Sequence, residues 1–224
     1  MRAAALLLAA GKGERLCGAG DKGLVELAGR PLLAYSVETV DACPTIEAFV
    51  VAAPAGREDE VKELASRSGK LHAVVTGGDS RQASVRSALE SVPEGFDAVA
   101  CHDVARPFAS TALFERAVAA LSSADGAVPA VPLADTVKRV KGESVVDTVV
   151  RDDLVGVQTP QAFRRRVLEE AHAAAERDGI TATDDAALLE RVGFRVVTVP
   201  GDPGNRKVTL PEDLAWAESV LRHG

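Results

Sequence analysis

The segment Gly11-Lys12-Gly13-Glu14-Arg15, followed by Lys22, sets fixed positive charge beside a backbone that can approach a ligand closely. Glycine lets successive N–H groups point at an anion. Arg15 and Lys22 add full charges suited to phosphate oxygens. The chemistry implied is capture of a nucleotide triphosphate. The spacing matches neither common phosphate loop. A Walker A loop would need Lys after its second glycine, and Ala19 follows Gly18. The dinucleotide fingerprint fails at Leu16, where glycine or alanine is required. On these residues alone, an ordinary tight β-to-α turn with two solvated cations remains the alternative.

The elements that must carry this loop alternate between apolar strands and helical patterns. Strands are predicted over Ala4–Ala9, Ala48–Ala52, Leu71–Val75, Ala98–His102, Ala127–Val131 and Phe194–Val199. Helices are predicted over Arg30–Ala42, Glu58–Ser68, Ser80–Ser91, Ser110–Ala120, Arg164–Arg177, Asp184–Val192 and Pro211–Leu221. Pro31 opens the first of these, where a missing N–H is tolerated. This order predicts an α/β fold: a Rossmann-like, mostly parallel sheet with helices on both faces. The order breaks at Asp135–Val140 and Val145–Arg151, which alternate with period two around Lys141-Gly142-Glu143-Ser144. That pattern predicts a β-hairpin. An isolated hairpin is marginal in water, so it is expected to pack on a second subunit. The domain expectation is one unit over 1–224, with 133–152 as a β-arm for dimerisation.

Ligands in such sheets bind beyond the carboxyl ends of the strands. That rule groups Gly11–Lys22, Gly77-Gly78-Asp79 and His102-Asp103-Val104-Ala105-Arg106-Pro107 on one edge. The net charge of −7 argues against nucleic-acid or membrane-surface binding. Cys17, Cys43 and Cys101 lack metal-ligand spacing and fit free thiols in a reducing cytosol. Cys101 reads as core, and Cys17 beside the loop reads as packing. The opening apolar run is too short to span a bilayer and has no signal-peptide pattern. A cytoplasmic location is therefore expected, with no fused domain after the last helix.

In order along the chain stand A-A-G-K-G-E-R (Ala9–Arg15), Lys22, G-G-D-S-R-Q-A-S-V (Gly77–Val85) and H-D-V-A-R-P (His102–Pro107). They continue with D-T-V-K-R (Asp135–Arg139), Arg151, T-P-Q (Thr159–Gln161), T-D-D (Thr183–Asp185) and N-R-K-V-T (Asn205–Thr209). Over essentially its full length the chain resembles the 2-C-methyl-D-erythritol 4-phosphate cytidylyltransferases of the non-mevalonate isoprenoid pathway. A-A-G-x-G-x-R alone marks only the wider nucleotidyltransferase superfamily. The resemblance implies attack of a substrate phosphate on the α-phosphorus of CTP, with release of pyrophosphate. Such transfer needs in-line positioning and cations where charge develops.

The resemblance also implies roles. Arg15 and Lys22 stabilise the transition state, and Mg²⁺ or another divalent cation bridges phosphate oxygens. Arg151, Lys207, Thr136 and Arg106 position the second substrate, a small polyol phosphate. Gly78, Asp79 and Ser84 recognise cytosine. Ala9, Ala10, Gly11, Gly13 and Val104 line the nucleotide. Asp103 sits near ribose and metal, the metal being held mainly through CTP phosphates. The hairpin reaches across a homodimer, so Thr136 and Arg151 act in the partner's site.

Each residue has a plainer reading. Arg151 and Lys207 are solvated surface residues, Asp103 and Arg106 an ion pair, and Asp79 a helix cap. Thr183-Asp184-Asp185 is a capping run, and His102 a hydrogen-bonded core histidine rather than a general base. Two departures stand out. The family's usual proline before the loop lysine is Asp21 here, and the glutamine or alanine after it is Gly23. Asp21 brings an anion to the phosphate site. Inserted Cys17-Gly18-Ala19-Gly20 suggests loop mobility until substrate binds. Competing functions are the same transfer to ribitol 5-phosphate or another alcohol phosphate, a nucleotidyltransferase using GTP or UTP, and a catalytically idle nucleotide-binding protein.

Overall fold

The computed structural model describes residues 1–13, 16 and 20–223. Strand β1 (Ala3–Leu8) is an unbroken apolar run, buried along its whole length. A strand without alternation must be covered on both faces, and the two cores show how. Ala3, Ala5 and Leu7 join Leu33, Val37 and Phe114 on one side, while Ala4, Leu6 and Leu8 join Val85, Leu89, Phe163 and Leu168 on the other.

Next in the chain come the two-residue strands β2 (Glu26–Leu27) and β3 (Arg30–Pro31), helix α1 (Leu32–Ala42) and β4 (Ile46–Ala53). Helix α2 (Glu58–Ala65), β5 (Leu71–Thr76), α3 (Arg81–Glu90), β6 (Ala98–Asp103) and α4 (Thr111–Ala119) continue the alternation. The second half contains β7 (Gly126–Pro132), the pair β8 (Val137–Lys141) and β9 (Ser144–Val149), then β10 (Val155–Val157) and β11 (Gln161–Arg164). It closes with α5 (Arg165–Arg177), α6 (Asp185–Arg191), β12 (Val196–Pro200) and α7 (Pro211–His223).

The main sheet runs β10-β7-β11-β6-β1-β4-β5, with β12 on β7. The β1–β4, β1–β6, β4–β5 and β7–β12 pairs are parallel. This is the expected mostly parallel architecture, with two antiparallel additions. Strand β11 lies between β6 and β7, pairing Ala162 with Ala100 and with Ala127. Strand β10 pairs Gly156 with Val131. At three and four residues, both are too short for a periodicity to register.

Helix α1 starts two residues later than expected, because Arg30–Pro31 pairs with Glu26–Leu27 and Pro31 becomes the cap. Helix α2 ends at Ala65 rather than Ser68. The C-terminal helix α7 covers a third, smaller core of Leu16, Leu27, Leu32, Val208 and Ala217. Trp216 meets Phe108 edge-on there, 5.6 Å between ring centroids.

The β8–β9 hairpin forms a separate two-stranded sheet, with Gly142 in the turn at φ 60°. Its apolar residues Val140, Val145 and Val146 are 58–60% exposed.

Candidate active site

A cleft of about 580 Å³ opens at the carboxyl ends of β1, β5 and β6. Ala9, Ala10, Gly11, Lys22, Gly78, Asp79, Ser84, Asp103, Val104 and Lys207 all line it. Residues from five separate parts of the chain therefore converge as expected. Lys12, Ser80 and Arg81 join them, without having been singled out in the sequence.

The loop after β1 folds back on itself. The Lys22 N–H donates to the Gly11 carbonyl at 2.9 Å, and the Gly13 N–H to the Gly20 carbonyl at 2.9 Å. Lys12 and Asp21 form an antiparallel bridge between the two limbs. Lys22 thereby stands in a short 3-10 turn (Lys22–Leu24) at the cleft. Two glycines serve the protein's own packing. A Cβ on Gly23 would fall 2.7 Å from the Ala9 Cβ, and one on Gly77 would fall 2.2 Å from the Ala10 Cβ. Gly11 has open space where a Cβ would point. Arg15, Cys17 and the Gly18–Ala19 segment lie outside the described residues.

At the start of α3 the cap is Ser80, not Asp79: the Ser80 hydroxyl accepts from the Ala83 N–H at 3.0 Å. Asp79 stays exposed on the cleft wall. Ser84 is buried, and its hydroxyl accepts from the Gly78 N–H at 3.2 Å while donating to the Ser80 carbonyl at 2.9 Å. It shapes the turn that presents Gly78 and Asp79.

Asp103 is the electrostatic centre. Its carboxylate takes Lys207 Nζ at 2.6 Å and Arg81 Nε at 3.0 Å, so the Asp103–Arg106 ion pair of the plainer reading is replaced by two others. Burial alone would raise the Asp103 carboxyl, yet the Arg81 and Lys207 cations hold it well below the usual carboxylate range. Arg81 also reaches Asp185 at 2.7 Å, and Asp185 accepts from His172 Nε2 at 3.1 Å. Asp185 is 1% exposed. Burial pushes its carboxyl up, but Arg81 and His172 pull it down overall. Asp184 alone performs the capping expected of T-D-D, accepting from the Ala187 N–H at 3.0 Å. Asp185 is instead the buried counter-charge of Arg81. The sequence signal for this was an acid following a cap residue, which is common and nonspecific.

Distant motifs meet behind Lys207. The Arg106 guanidinium donates to the Asn205 carbonyl at 2.8 Å. Asn205, fully buried, donates to the Thr159 carbonyl at 2.9 Å, and the Val208 N–H to the Ala105 carbonyl at 2.8 Å. H-D-V-A-R-P, T-P-Q and N-R-K-V-T thus form one brace that aims Lys207 at Asp103. Arg106 braces this segment and does not line the cleft. Thr159 Oγ1 accepts from the Asp103 N–H at 3.1 Å and lies 3.2 Å from His102 Nδ1. His102 is fully buried, and burial, opposed by Asp103, lowers its pKa to about 4. It is the hydrogen-bonded core histidine of the plainer reading. Cys101 is likewise core.

Thr136 and Arg151 stand at the base of the hairpin, exposed and outside the cleft of their own chain. The Arg151 guanidinium donates to the Ala134 carbonyl. Among the described residues no cluster of three His, Cys, Asp or Glu side chains could enclose a metal. Among the described lining residues the carboxylates are Asp21, Asp79 and Asp103, and they do not gather into one ligand cluster. That suits Mg²⁺, which keeps waters and substrate phosphates as ligands and needs few protein oxygens. Among the described residues, no helix is long and apolar enough to cross a membrane.

Comparison with known proteins agrees with this geometry. The family model described as 2-C-methyl-D-erythritol 4-phosphate cytidylyltransferase matches residues 3–223. A protein of that name from Deinococcus radiodurans is 45% identical, covering 99% of this chain and 90% of that protein. One from Halalkalibacterium halodurans is 38% identical, covering 99% and 97%. The crystal structure of the Thermus thermophilus enzyme of the same name superposes with TM-score 0.84 at 35% identity, over 99% of this chain and 100% of that one. The Anaerococcus prevotii 4-diphosphocytidyl-2C-methyl-D-erythritol synthase superposes with TM-score 0.87 at 28% identity, over 99% of both chains. With the match spanning almost every residue and the cleft built from the motifs that carry it, this chain belongs to the 2-C-methyl-D-erythritol 4-phosphate cytidylyltransferase family.

Proposed function

We infer that this chain transfers CMP from CTP to the phosphate of 2-C-methyl-D-erythritol 4-phosphate, forming 4-diphosphocytidyl-2-C-methyl-D-erythritol and pyrophosphate for isoprenoid precursors. The observation that carries the reading is the convergence of Lys22, Lys207, Asp103 and the Gly77–Ser84 turn on one cleft. An acceptor phosphate oxygen forms a bond to the α-phosphorus, and the bond from that phosphorus to the bridging oxygen breaks as pyrophosphate leaves.

The chain's residues act by binding and positioning. Lys22 faces the charge that builds on the triphosphate, and the family resemblance gives Arg15 the same role. Ala9, Ala10, Gly11 and Val104 form the nucleotide's bed, and Gly78, Asp79 and Ser84 the cytosine side; Gly13, expected there too, lies off the cleft lining and ties the loop's limbs. Asp103 would hold a divalent cation such as Mg²⁺, which would supply charge compensation for the departing pyrophosphate. Lys207 holds the acceptor phosphate, and Arg106 holds Lys207's segment in place.

Thr136 and Arg151 complete the acceptor site from a second copy. Residues 1–224 then act as one catalytic unit, and 133–152 as the dimer arm. Exposed valines on the hairpin support this, because an isolated apolar hairpin gains stability only by burial. The buried free thiols of Cys43 and Cys101 support a cytoplasmic setting.

Pyrophosphate release tests the reading. Release is expected with CTP and methylerythritol phosphate, and not with ribitol phosphate, ATP, GTP or UTP. Release only with ribitol phosphate moves the acceptor, and release with no pair supports the idle binder. Mixing Arg151→Ala with Lys22→Ala subunits is expected to restore activity, since a mixed dimer holds one intact site. No recovery under verified subunit exchange overturns the arm's role.

A further inference from the structure

Asp21 stands beside the loop lysine, and the structure gives its carboxylate a defined partner. It lines the cleft between Lys12 and Lys22 in the return limb of the loop. Its Oδ2 accepts from Arg57 Nη1 at 3.2 Å. Arg57 is not a cleft residue. It caps α2, one turn beyond Pro54 and Ala55, which do line the cleft. Its backbone is held by a hydrogen bond from its N–H to the Pro54 carbonyl at 3.1 Å. Its guanidinium is oriented by Glu60, with Nε 2.6 Å from Oε2.

Charge accounting across the cleft shows what this contact does. Among the described residues, the lining cations are Lys12, Lys22, Arg81 and Lys207, and the lining acids are Asp21, Asp79 and Asp103. Asp103 is balanced from within the cleft by Arg81 and Lys207. Asp21 is balanced from outside it, by Arg57. A carboxylate without that cation would face a triphosphate with like charge across partly desolvated space, where screening is weakest.

We propose that Arg57 is a positioning residue for nucleotide binding: it draws the Asp21 carboxylate away from the phosphates, and so makes aspartate tolerable at this position of the cleft. This rests on the reading that the cleft takes a nucleoside triphosphate. Of the two acids that Arg57 contacts, Asp21 and Glu60, only Asp21 lines the cleft, so its effect on the nucleotide is assigned to Asp21. A purely structural pair would behave differently, with either partner's removal costing about the same and the double variant no better than the worse single one.

The experiment is calorimetric titration of CTP with Mg²⁺ into wild type, Arg57→Ala, Asp21→Asn and the double variant, with folding checked by thermal melts. Arg57→Ala is expected to bind CTP about fivefold more weakly, the size of one solvent-exposed ion pair. Asp21→Asn is expected to bind at least as tightly as wild type, and the double variant to match Asp21→Asn. The Arg57→Ala defect should shrink in high salt, and Arg57→Lys should restore wild-type binding. Arg57→Gln keeps the stem and replaces Arg57→Ala should that variant fail to fold. Equal losses for Arg57→Ala and Asp21→Asn, or no rescue in the double variant, would overturn the proposal while leaving the site reading intact. Wild-type protein that binds no CTP overturns the site reading, and this proposal with it.

Discussion

Lys22 and Asp103 show two ways a charged residue enters a site. Lys22 is delivered by a loop whose two limbs are tied through Gly11 and Gly20 carbonyls, so its function depends on where the backbone puts it. Replacing it by alanine is expected to lower the single-turnover rate about 10²–10³-fold, the usual size for one lost transition-state charge contact. A rate within threefold of wild type would remove Lys22 from the chemistry. Asp103 sits in a chain of alternating charge running Lys207, Asp103, Arg81, Asp185, and His172 hydrogen-bonds to the Asp185 end. Its buried end is Asp185, so Asp185→Asn leaves Arg81 with half its compensation. That change is expected to cost about 3 kcal/mol, the low end for breaking a buried pair, read as a shift in urea midpoint. A loss under 1 kcal/mol would show that Asp103 alone suffices for Arg81. Little of this chain was legible in sequence. Arg81 of R-Q-A-S and Asp185 of T-D-D stand 104 residues apart, and only the fold shows that they are partners.

At the element scale, helix starts do double duty as cleft walls. Ser80 caps α3 and lines the cleft at once. Ser80→Ala is expected to lower stability by about 1 kcal/mol, the ordinary cost of a lost cap. Urea unfolding measures it, and no change would mean that another group takes over the Ala83 N–H. The hairpin is the opposite case, an element whose side chains have little to pack on within one chain. Val145→Asp with Val146→Asp is expected to leave stability of the isolated chain within about 0.5 kcal/mol, as for ordinary surface changes. The same pair should convert dimer to monomer in sedimentation velocity and abolish turnover. Unchanged sedimentation would place any dimer contact elsewhere. The hairpin was readable from its period-two alternation because exposed strands keep a clean pattern. Strands β10 and β11 were not, because three or four residues beside a proline carry too little periodicity to stand out.

For the whole molecule, the buried ionisable groups around β6 set a pH dependence. His102 has a folded pKa of about 4, below its ordinary value of about 6.5, so between these limits the unfolded chain binds more protons. Stability from this group is complete above about pH 6.5 and falls as pH drops toward 4, by roughly 3 kcal/mol for the full shift. Asp103 and Asp185 are held below the usual carboxylate range, so their contributions persist above about pH 4 and fade only in stronger acid. Urea midpoints are therefore expected to decline from pH 7 to pH 4.5, and His102→Gln to flatten most of that decline. A slope that survives the substitution would assign it to another group.

The amino-acid sequence by itself determined the α/β alternation, the central strand, the hairpin and the loop-bearing sheet edge. Each of these is a local pattern of burial, period or glycine, and local patterns survive in one dimension. It also determined the family, because motifs in a fixed order over the full length constrain more than any one of them. Only the tertiary structure decided who partners whom. It exchanged an Asp103–Arg106 pair for Asp103 with Lys207 and Arg81, and moved the α3 cap from Asp79 to Ser80. It turned Arg106 into a brace for Asn205 and matched Asp21 with Arg57. The physical reason is that an ion pair depends on distance and burial in space. Residues 22 to 104 positions apart acquire both only when the sheet edge brings them together.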